Sequence, residues 1–157
     1  MPDAAVFQRY ADGFAAVAEA LAGITPPELD LRPGPGCWTA REVVHHLADS
    51  ETRSYLRLRT LLADKDGFIE PYDEAAWAAE PRLAYRSRPI EPSLAVLDAV
   101  RRSSLQLVLT LGEADFARAG HHPEHPVPYT LSVWLELYAD HPHLHAAQIR
   151  RARRGEA

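Results

Sequence analysis

Four long stretches of the sequence repeat apolar residues every three or four positions, the spacing that places them on one face of an α-helix. We predict helices over roughly residues 3–22, 38–63, 91–111 and 130–154. Segments rich in proline and glycine separate these stretches, and neither residue sustains a helix interior. We find no convincing strand hairpin and no internal repeat. Four amphipathic helices can bury their apolar faces against one another, so we predict an all-α four-helix bundle with long connectors, forming a single domain over residues 1–157.

The ends of the predicted helices carry local signals. Thr39 is a candidate N-cap for the second helix, and Glu42 three residues later would complete a capping box. The connector over residues 64–89 contains a candidate short helix around 73–79, and its Tyr72 and Trp77 either cover a site or pack against the bundle. On the third long helix the apolar residues predicted to face inward are Leu94, Leu97, Val100, Leu105, Val108 and Leu111.

Composition excludes several classes of protein. With 46% hydrophobic and 25% charged residues, the chain has the balance of a soluble globular protein. Its net charge of -5 provides no general basic field for nucleic acid, and we interpret the basic "RRARRGE" at the end as cations stabilising the last helix. Cys37 is the single cysteine, which excludes an intramolecular disulfide, and we expect it to be inert. No apolar run would span a bilayer and no signal peptide is evident, so we expect a cytoplasmic protein.

The fourth helix contains "YADHPHLHAAQIRR", with three histidines in five residues. Because an α-helix turns about 100° per residue, His141 and His145 lie nearly above one another. Their face is the one predicted to be buried, together with Trp134, Leu137, Tyr138, Leu144, Gln148 and Ile149. His143 points about 160° away, toward solvent. Two imidazoles four residues apart either form hydrogen bonds in the core or converge on one metal ion, and a third ligand is needed to decide between the two.

The second helix offers candidates for that third ligand in "REVVHHLADSE". Its apolar centre lies near Leu47, so periodicity places His45 toward solvent and His46 on the flank of the buried face. Glu51 falls close to the apolar stripe. Either Glu51 has a buried partner, or this helix is covered on more than one side.

Two motifs at opposite ends of the chain together resemble the DinB/YfiT-like superfamily of bacterial metal-dependent proteins. The first is Trp38-Thr39 followed by "HLxxxE" from His46 to Glu51, and the second is "HxxxHxxQI" from His141 to Ile149. This resemblance implies a four-helix bundle in which His46, His141 and His145 bind one divalent metal ion, with zinc or nickel the most common assignments.

The implied site has only three protein ligands, which leaves a coordination position open for water or substrate. Relatives include thiol-S-transferases that use bacillithiol and isomerases that use mycothiol. We therefore predict a small-molecule metalloenzyme, either a hydrolase or an S-transferase dependent on a thiol such as bacillithiol, without nucleic-acid or membrane partners. The alternative is a non-catalytic bundle that the metal staples and that binds a ligand or partner. Bundle helices of this kind often self-associate, so a homodimer is also expected.

Further residues acquire candidate roles from their position relative to these histidines. Arg53 and Arg57 share a helix face with His46 and either hold a carboxylate of a thiol cofactor or form a solvated surface. Tyr138 and Gln148 border the histidine pair on the fourth helix and either orient its ligands or act as packing residues.

Two features depart from this pattern. Pro142 follows the first histidine of the pair, where it removes the hydrogen bond to the carbonyl of Tyr138 and should kink the helix. A second histidine group lies in the loop "GHHPEH", and we expect these three residues, His121, His122 and His125, to be surface residues rather than metal ligands.

Overall fold

The computed structural model describes residues 1–65, 67–125 and 127–157, and its framework is four long helices. The helices are α1 (Ala4–Leu21), α2 (Pro26–Leu29), α3 (Ala40–Ala63), α4 (Glu74–Ala79), α5 (Glu91–Val108), α6 (Glu113–Phe116) and α7 (Leu131–Ala152). A 3-10 turn over Pro81–Leu83 follows α4, and strands β1 (Ala119–Gly120) and β2 (Tyr129–Thr130) precede α7. None of the helices in the described ranges is long and apolar enough to cross a membrane.

The predicted four-helix bundle is confirmed, and the long helices α1, α3, α5 and α7 begin and end near their predicted bounds. The Thr39 capping box is present, because the Glu42 backbone N–H donates to the Thr39 hydroxyl and the Glu42 carboxylate accepts from the Thr39 N–H at 2.8 Å. The short connector helix is confirmed as α4. The third long helix ends at Val108, three residues earlier than predicted.

The expectation of no strand pairing was wrong. Strands β1 and β2 pair antiparallel, with Ala119 opposite Thr130 and Gly120 opposite Tyr129. Two-residue strands are too short to show an alternation of apolar and polar residues, so periodicity could not reveal them. The pair lies directly before the first turn of α7, where the Thr130 hydroxyl accepts from the Val133 N–H and caps the helix.

The four long helices pack in a ring in which α1 contacts α7, α7 contacts α3, α3 contacts α5 and α5 contacts α1. The first two long helices of the sequence, α1 and α3, therefore lie on a diagonal. Two apolar clusters fill the interior. One contains Trp134 and Leu58 toward one end of the bundle, and the other contains Val17, Leu47 and Ile149 toward the opposite end.

A buried ion pair lies on the helices between these two clusters. Arg101 of α5 is 3% exposed and donates to Glu51 of α3, which is 1% exposed, at 2.9 Å. Arg101 also donates to the backbone carbonyls of Tyr138, at 3.0 Å, and Tyr10. This cation therefore connects all four long helices of the bundle. The buried partner that the position of Glu51 demanded is Arg101.

Pro142 lies inside α7, yet the helix is continuous from Leu131 to Ala152. Because proline has no N–H, the carbonyl of Tyr138 loses its intrahelical donor, and Arg101 supplies a replacement. The same guanidinium needs space beside α1, which Gly13 provides. A Cβ at Gly13 would lie 2.6 Å from Arg101 Nη2 and 2.9 Å from Pro142 Cγ. A glycine, a proline and a buried arginine thus form one packing unit.

Three predicted side-chain directions were wrong. His45, expected toward solvent, is 0% exposed, because the connector after α4 covers the outer side of α3. Its ring nitrogens lie 2.8 Å from Ser93 Oγ and 3.2 Å from the carbonyl oxygen of Arg88. On α7, Leu137 and Leu144 were expected to face inward but are 49% and 68% exposed. Periodicity marked the correct helix but overestimated the width of its buried face.

Candidate metal centre

Three histidines from two helices meet beside the apolar cluster that contains Leu47. His46 extends from α3, and His141 and His145 extend from successive turns of α7. The ring centroids are 5.5 Å apart for His46 and His141, 4.7 Å for His46 and His145, and 4.6 Å for His141 and His145. Each ring offers one nitrogen such that the three nitrogens lie within 4.8 Å of one another. Side chains so arranged can converge on one ion.

Hydrogen bonds orient two of these rings. His145 Nδ1 lies 2.7 Å from Gln148 Oε1, and His141 Nδ1 lies 3.2 Å from Glu51 Oε1. A proton on each Nδ1 would donate to these oxygens, which leaves the lone pair on Nε2 for another partner. His46 Nε2 is buried and has no hydrogen-bond partner among the described residues. A buried polar atom without a partner is costly, and a cation held between the three rings would satisfy it.

Burial keeps the rings of His46 and His145 neutral. Desolvation first, and then the neighbouring His145 and His141, lower the pKa of His46 to about 3. Burial, together with His141, lowers the pKa of His145 to about 4. Histidine binds metal only as neutral imidazole, so these pKa values keep the lone pairs available at neutral pH. The donor set, its protonation and its unsatisfied nitrogen all fit a divalent cation.

The same lowered pKa values predict that acid destabilises the metal-free protein. His45, whose pKa is lowered to about 4 by burial and by Arg88, adds to the effect of His46 and His145. Below pH 6.5 the unfolded chain binds protons on these residues that the folded chain excludes, so stability falls between pH 6.5 and about 4. Each histidine contributes up to about 1.4 kcal/mol per pH unit.

Urea unfolding of chelator-treated protein at several pH values measures this slope. The variant His45→Gln should show a smaller slope, because its side chain takes up no proton on unfolding. A free energy of unfolding that stays constant from pH 6.5 to pH 4.5 would contradict the prediction.

The connector between α3 and α5 lies over the histidines. The Glu74 carboxylate, at the start of α4, lies 3.7 Å from His46 Nε2 and is 58% exposed. Arg53 of α3 holds the segment that precedes α4, because its guanidinium donates to the backbone carbonyls of Glu70 and Pro71. The Arg53 guanidinium also lies 5.2 Å from the ring centroid of Tyr72 and 5.8 Å from that of Trp77.

A pocket of about 330 Å³ opens beside the histidines. Of the three histidines, His145 lines this pocket, together with Glu74, Trp38, Gln148 and Arg151 among others. The Trp38 ring also lies 4.8 Å from the ring of His46. A small molecule in this pocket would therefore reach the histidine cluster while contacting both an apolar ring and charged groups.

Comparison with known proteins identifies the family. The family model described as the DinB superfamily matches residues 9–149, which is most of the chain. The chain belongs to the DinB superfamily. The solved structure of YfiT from Bacillus subtilis, described as a four-helix bundle with an unusual topology, superimposes with a TM-score of 0.86 at 34% identity. That match covers 98% of this chain and 87% of YfiT.

Relatives within the DinB superfamily share one description. The chain is 37% identical to "Putative metal-dependent hydrolase YfiT" of Bacillus subtilis over 86% of its own length and 75% of the relative. A protein of Bacillus mycoides with the same description is 34% identical, over 87% of this chain and 77% of that protein. A protein of Oceanobacillus iheyensis with the same description is 35% identical, over 78% of this chain and 69% of that protein.

The other histidines of this DinB protein lie outside the cluster. His143 is partly buried against α1, with its Nε2 2.9 Å from the carbonyl oxygen of Arg9. The loop histidines do not join a group of metal-ligating side chains within the described residues. His121 is exposed, whereas the ring of His122 stacks near Tyr129 and His125 Nδ1 approaches the carbonyl of Val127.

The residues predicted to surround the site have specific partners. Gln148 Oε1 lies 2.7 Å from His145 Nδ1, and its role in orienting a metal ligand stays a prediction. The Tyr138 ring lies 5.9 Å from that of His141, and its hydroxyl accepts from Arg57 at 2.9 Å. Arg57 also donates to the carbonyl of Glu70, so it shares with Arg53 the task of fixing the connector. The role of both arginines in cofactor binding stays a prediction.

Three residues around the site were not recognised from the sequence. Arg101 lies on a helix that contains no histidine, and the sequence signal for its burial was limited to its position between Leu97 and Leu105. Glu74 lies in a connector whose path the sequence does not determine. Arg151 belongs to a basic run interpreted as the end of a helix, and nothing in that run distinguishes it from its neighbours.

Proposed function

We propose that this protein is a divalent-metal-dependent hydrolase of small molecules, with His46, His141 and His145 as the protein ligands. The supporting observation is the buried Nε2 of His46, which has no hydrogen-bond partner among the described residues and belongs to a cluster in which His46, His141 and His145 each offer a ligand atom within 4.8 Å of the others. Zinc and nickel both suit imidazole ligands and are the proposed ions. The shared description of the relatives supports the same class of reaction.

A divalent cation at this position would polarise a substrate carbonyl and lower the pKa of bound water toward 7. The chain's own residues prepare the site for that chemistry. Glu51 and Gln148 hold the rings of His141 and His145 in orientation through their Nδ1 atoms. The exposed Glu74 carboxylate, which lines the pocket 3.7 Å from His46 Nε2, could accept a hydrogen bond from an attacking water or a substrate group.

Residues on both sides of α3 shape the approach to the histidines. Trp38, before α3, lies against His46, and Glu74, in the connector after α3, lines the same pocket as Trp38 and His145. A pocket of about 330 Å³ suits a small-molecule substrate.

The test compares chelator-treated protein with protein reloaded with zinc or nickel. Each form is assayed against a panel of small esters and amides, and separately for transfer of bacillithiol to monochlorobimane. We expect one equivalent of metal per chain and hydrolysis that appears only after reloading. Thermal unfolding of both forms measures how much the metal contributes to stability.

The outcomes separate the competing functions. Thiol transfer without hydrolysis would replace the proposed activity by that of a thiol-dependent S-transferase. No turnover in either assay, combined with a large loss of melting temperature on chelation, would support the metal-stapled binding module. If the protein binds no metal, the proposed function is wrong.

A further inference from the structure

Arg151 differs from every other arginine in the described residues. The chain has 16 arginines, since Lys65 is the single lysine among 17 basic residues, and 15 of the guanidinium groups donate a hydrogen bond or pair with a carboxylate. Arg151 makes neither kind of contact with the described residues, although, after the hydrogen bond from Arg154, its charge helps to lower the pKa of Glu156. Its neighbour Arg150, by contrast, lies 3.8 Å from Glu19.

Arg151 is also one of the residues that line the pocket beside the histidines. His145, Gln148 and Arg151 follow one another at three-residue intervals on α7, and all three line the pocket. Six residues of helix rise about 9 Å, so the cation lies roughly that distance along the axis from the histidine end. Trp38 provides an apolar surface in the same pocket.

The surrounding charges indicate which anion fits. Glu156 also lines the pocket, but Arg154 pairs with its carboxylate at 2.7 Å. Glu74 adds a second carboxylate to the pocket lining, near His46. Repulsion from these two carboxylates rises with the charge of the ligand, so a singly charged carboxylate suits pairing with Arg151 better than a doubly charged phosphate.

We propose that Arg151 is the specificity-determining residue for substrates that carry a carboxylate several bonds away from the group that reacts. The apolar middle of such a substrate would pack against Trp38, its carboxylate would pair with Arg151, and its reactive end would lie at the histidines. The position of the reactive end rests on the proposed hydrolase function. The carboxylate selectivity rests on the pocket alone and can be measured without turnover.

Binding is measured first, by NMR titration of chelator-treated protein with 4-phenylbutyrate and its neutral analogue 4-phenylbutanamide. We expect wild type to bind the carboxylate about fivefold to tenfold more tightly than the amide. Arg151→Gln should lose this preference, and Arg150→Gln, the matched control, should keep it. Equal binding of both compounds by wild type, or an equal loss in both variants, would overturn the proposal.

A kinetic comparison then uses metal-reloaded protein with 4-nitrophenyl hemiadipate and the 4-nitrophenyl ester of adipamic acid. We expect Arg151→Gln to raise KM about fivefold to tenfold for the first ester only, with kcat nearly unchanged. An Arg151-dependent binding preference without hydrolysis of either ester would contradict the hydrolase function and leave the carboxylate pocket in place. Hydrolysis of both esters with equal kcat/KM would overturn the carboxylate pocket and support the hydrolase function.

Discussion

Replacing Arg101 by methionine is expected to lower the free energy of unfolding by about 3–5 kcal/mol. The substitution leaves Glu51 as a charge that is 1% exposed and without its cationic partner. It also removes the donors to the carbonyls of Tyr138 and Tyr10, and the first of these has no intrahelical donor because of Pro142. Methionine fills much of the space of the arginine stem, so the loss reports mainly on charge and hydrogen bonding. Urea unfolding of the metal-free protein measures it.

Arg102→Met is the matched control for this experiment. Arg102 is the next residue on α5, its side chain is 77% exposed, and its partner Asp98 lies 3.4 Å away on the surface. The control should change stability by less than about 1 kcal/mol. The double variant Glu51→Leu/Arg101→Met should recover much of the loss, since it removes both buried charges together. A single variant as stable as wild type would contradict the central role of Arg101.

Replacing His145 by alanine is expected to weaken metal binding by more than about 100-fold, because even groups that only orient a ligand contribute roughly 10–100-fold. His145 contacts both other rings, with centroids 4.6 Å and 4.7 Å away. Its removal leaves only two of the three nitrogens that converge within 4.8 Å. The metal content of the purified variant and its affinity in competition with a chelator measure the effect.

His143→Ala is the control for this substitution, because His143 lies two residues from His145 on α7 but contacts α1 instead of the cluster. It should retain one equivalent of metal and the affinity of wild type. Equal metal content in wild type and His145→Ala would contradict the proposed metal site. Loss of metal in both variants would indicate that the fold of α7, and not the ligand, was disturbed.

The helical framework could be predicted from the sequence because its signals are local. Apolar spacing located α1, α3, α5 and α7, and the Thr39–Glu42 capping box marked the start of α3 to within a residue. The pairing of His141 with His145 on one face of α7 also follows from spacing alone. These features depend only on the geometry of a single helix.

The surroundings of α3 could not be predicted in the same way. Periodicity assigned one buried face to this helix, yet its residues from Glu42 to Ala48 are all buried, since α5 and α7 cover one side and the connector covers another. This double cover buries His45 with Ser93 and places Glu74 beside His46. The path of a connector depends on contacts with distant parts of the chain, which a local pattern does not encode.

The sequence by itself determined which helices form, which of their faces are apolar and that two histidines of α7 share a face. The sequence motifs also implied, through the family resemblance, that His46 joins them, and the structure brings the three rings together. Only the tertiary structure decided that Arg101 pairs with Glu51 and replaces the donor lost at Pro142, and that Arg151 lines the pocket without a hydrogen bond or ion pair to the described residues. The physical reason is the range of the interactions. Helix formation and capping act over three or four residues, whereas a buried charge or a metal ligand depends on partners far away along the chain, from 50 residues for Glu51 and Arg101 to 99 residues for His46 and His145.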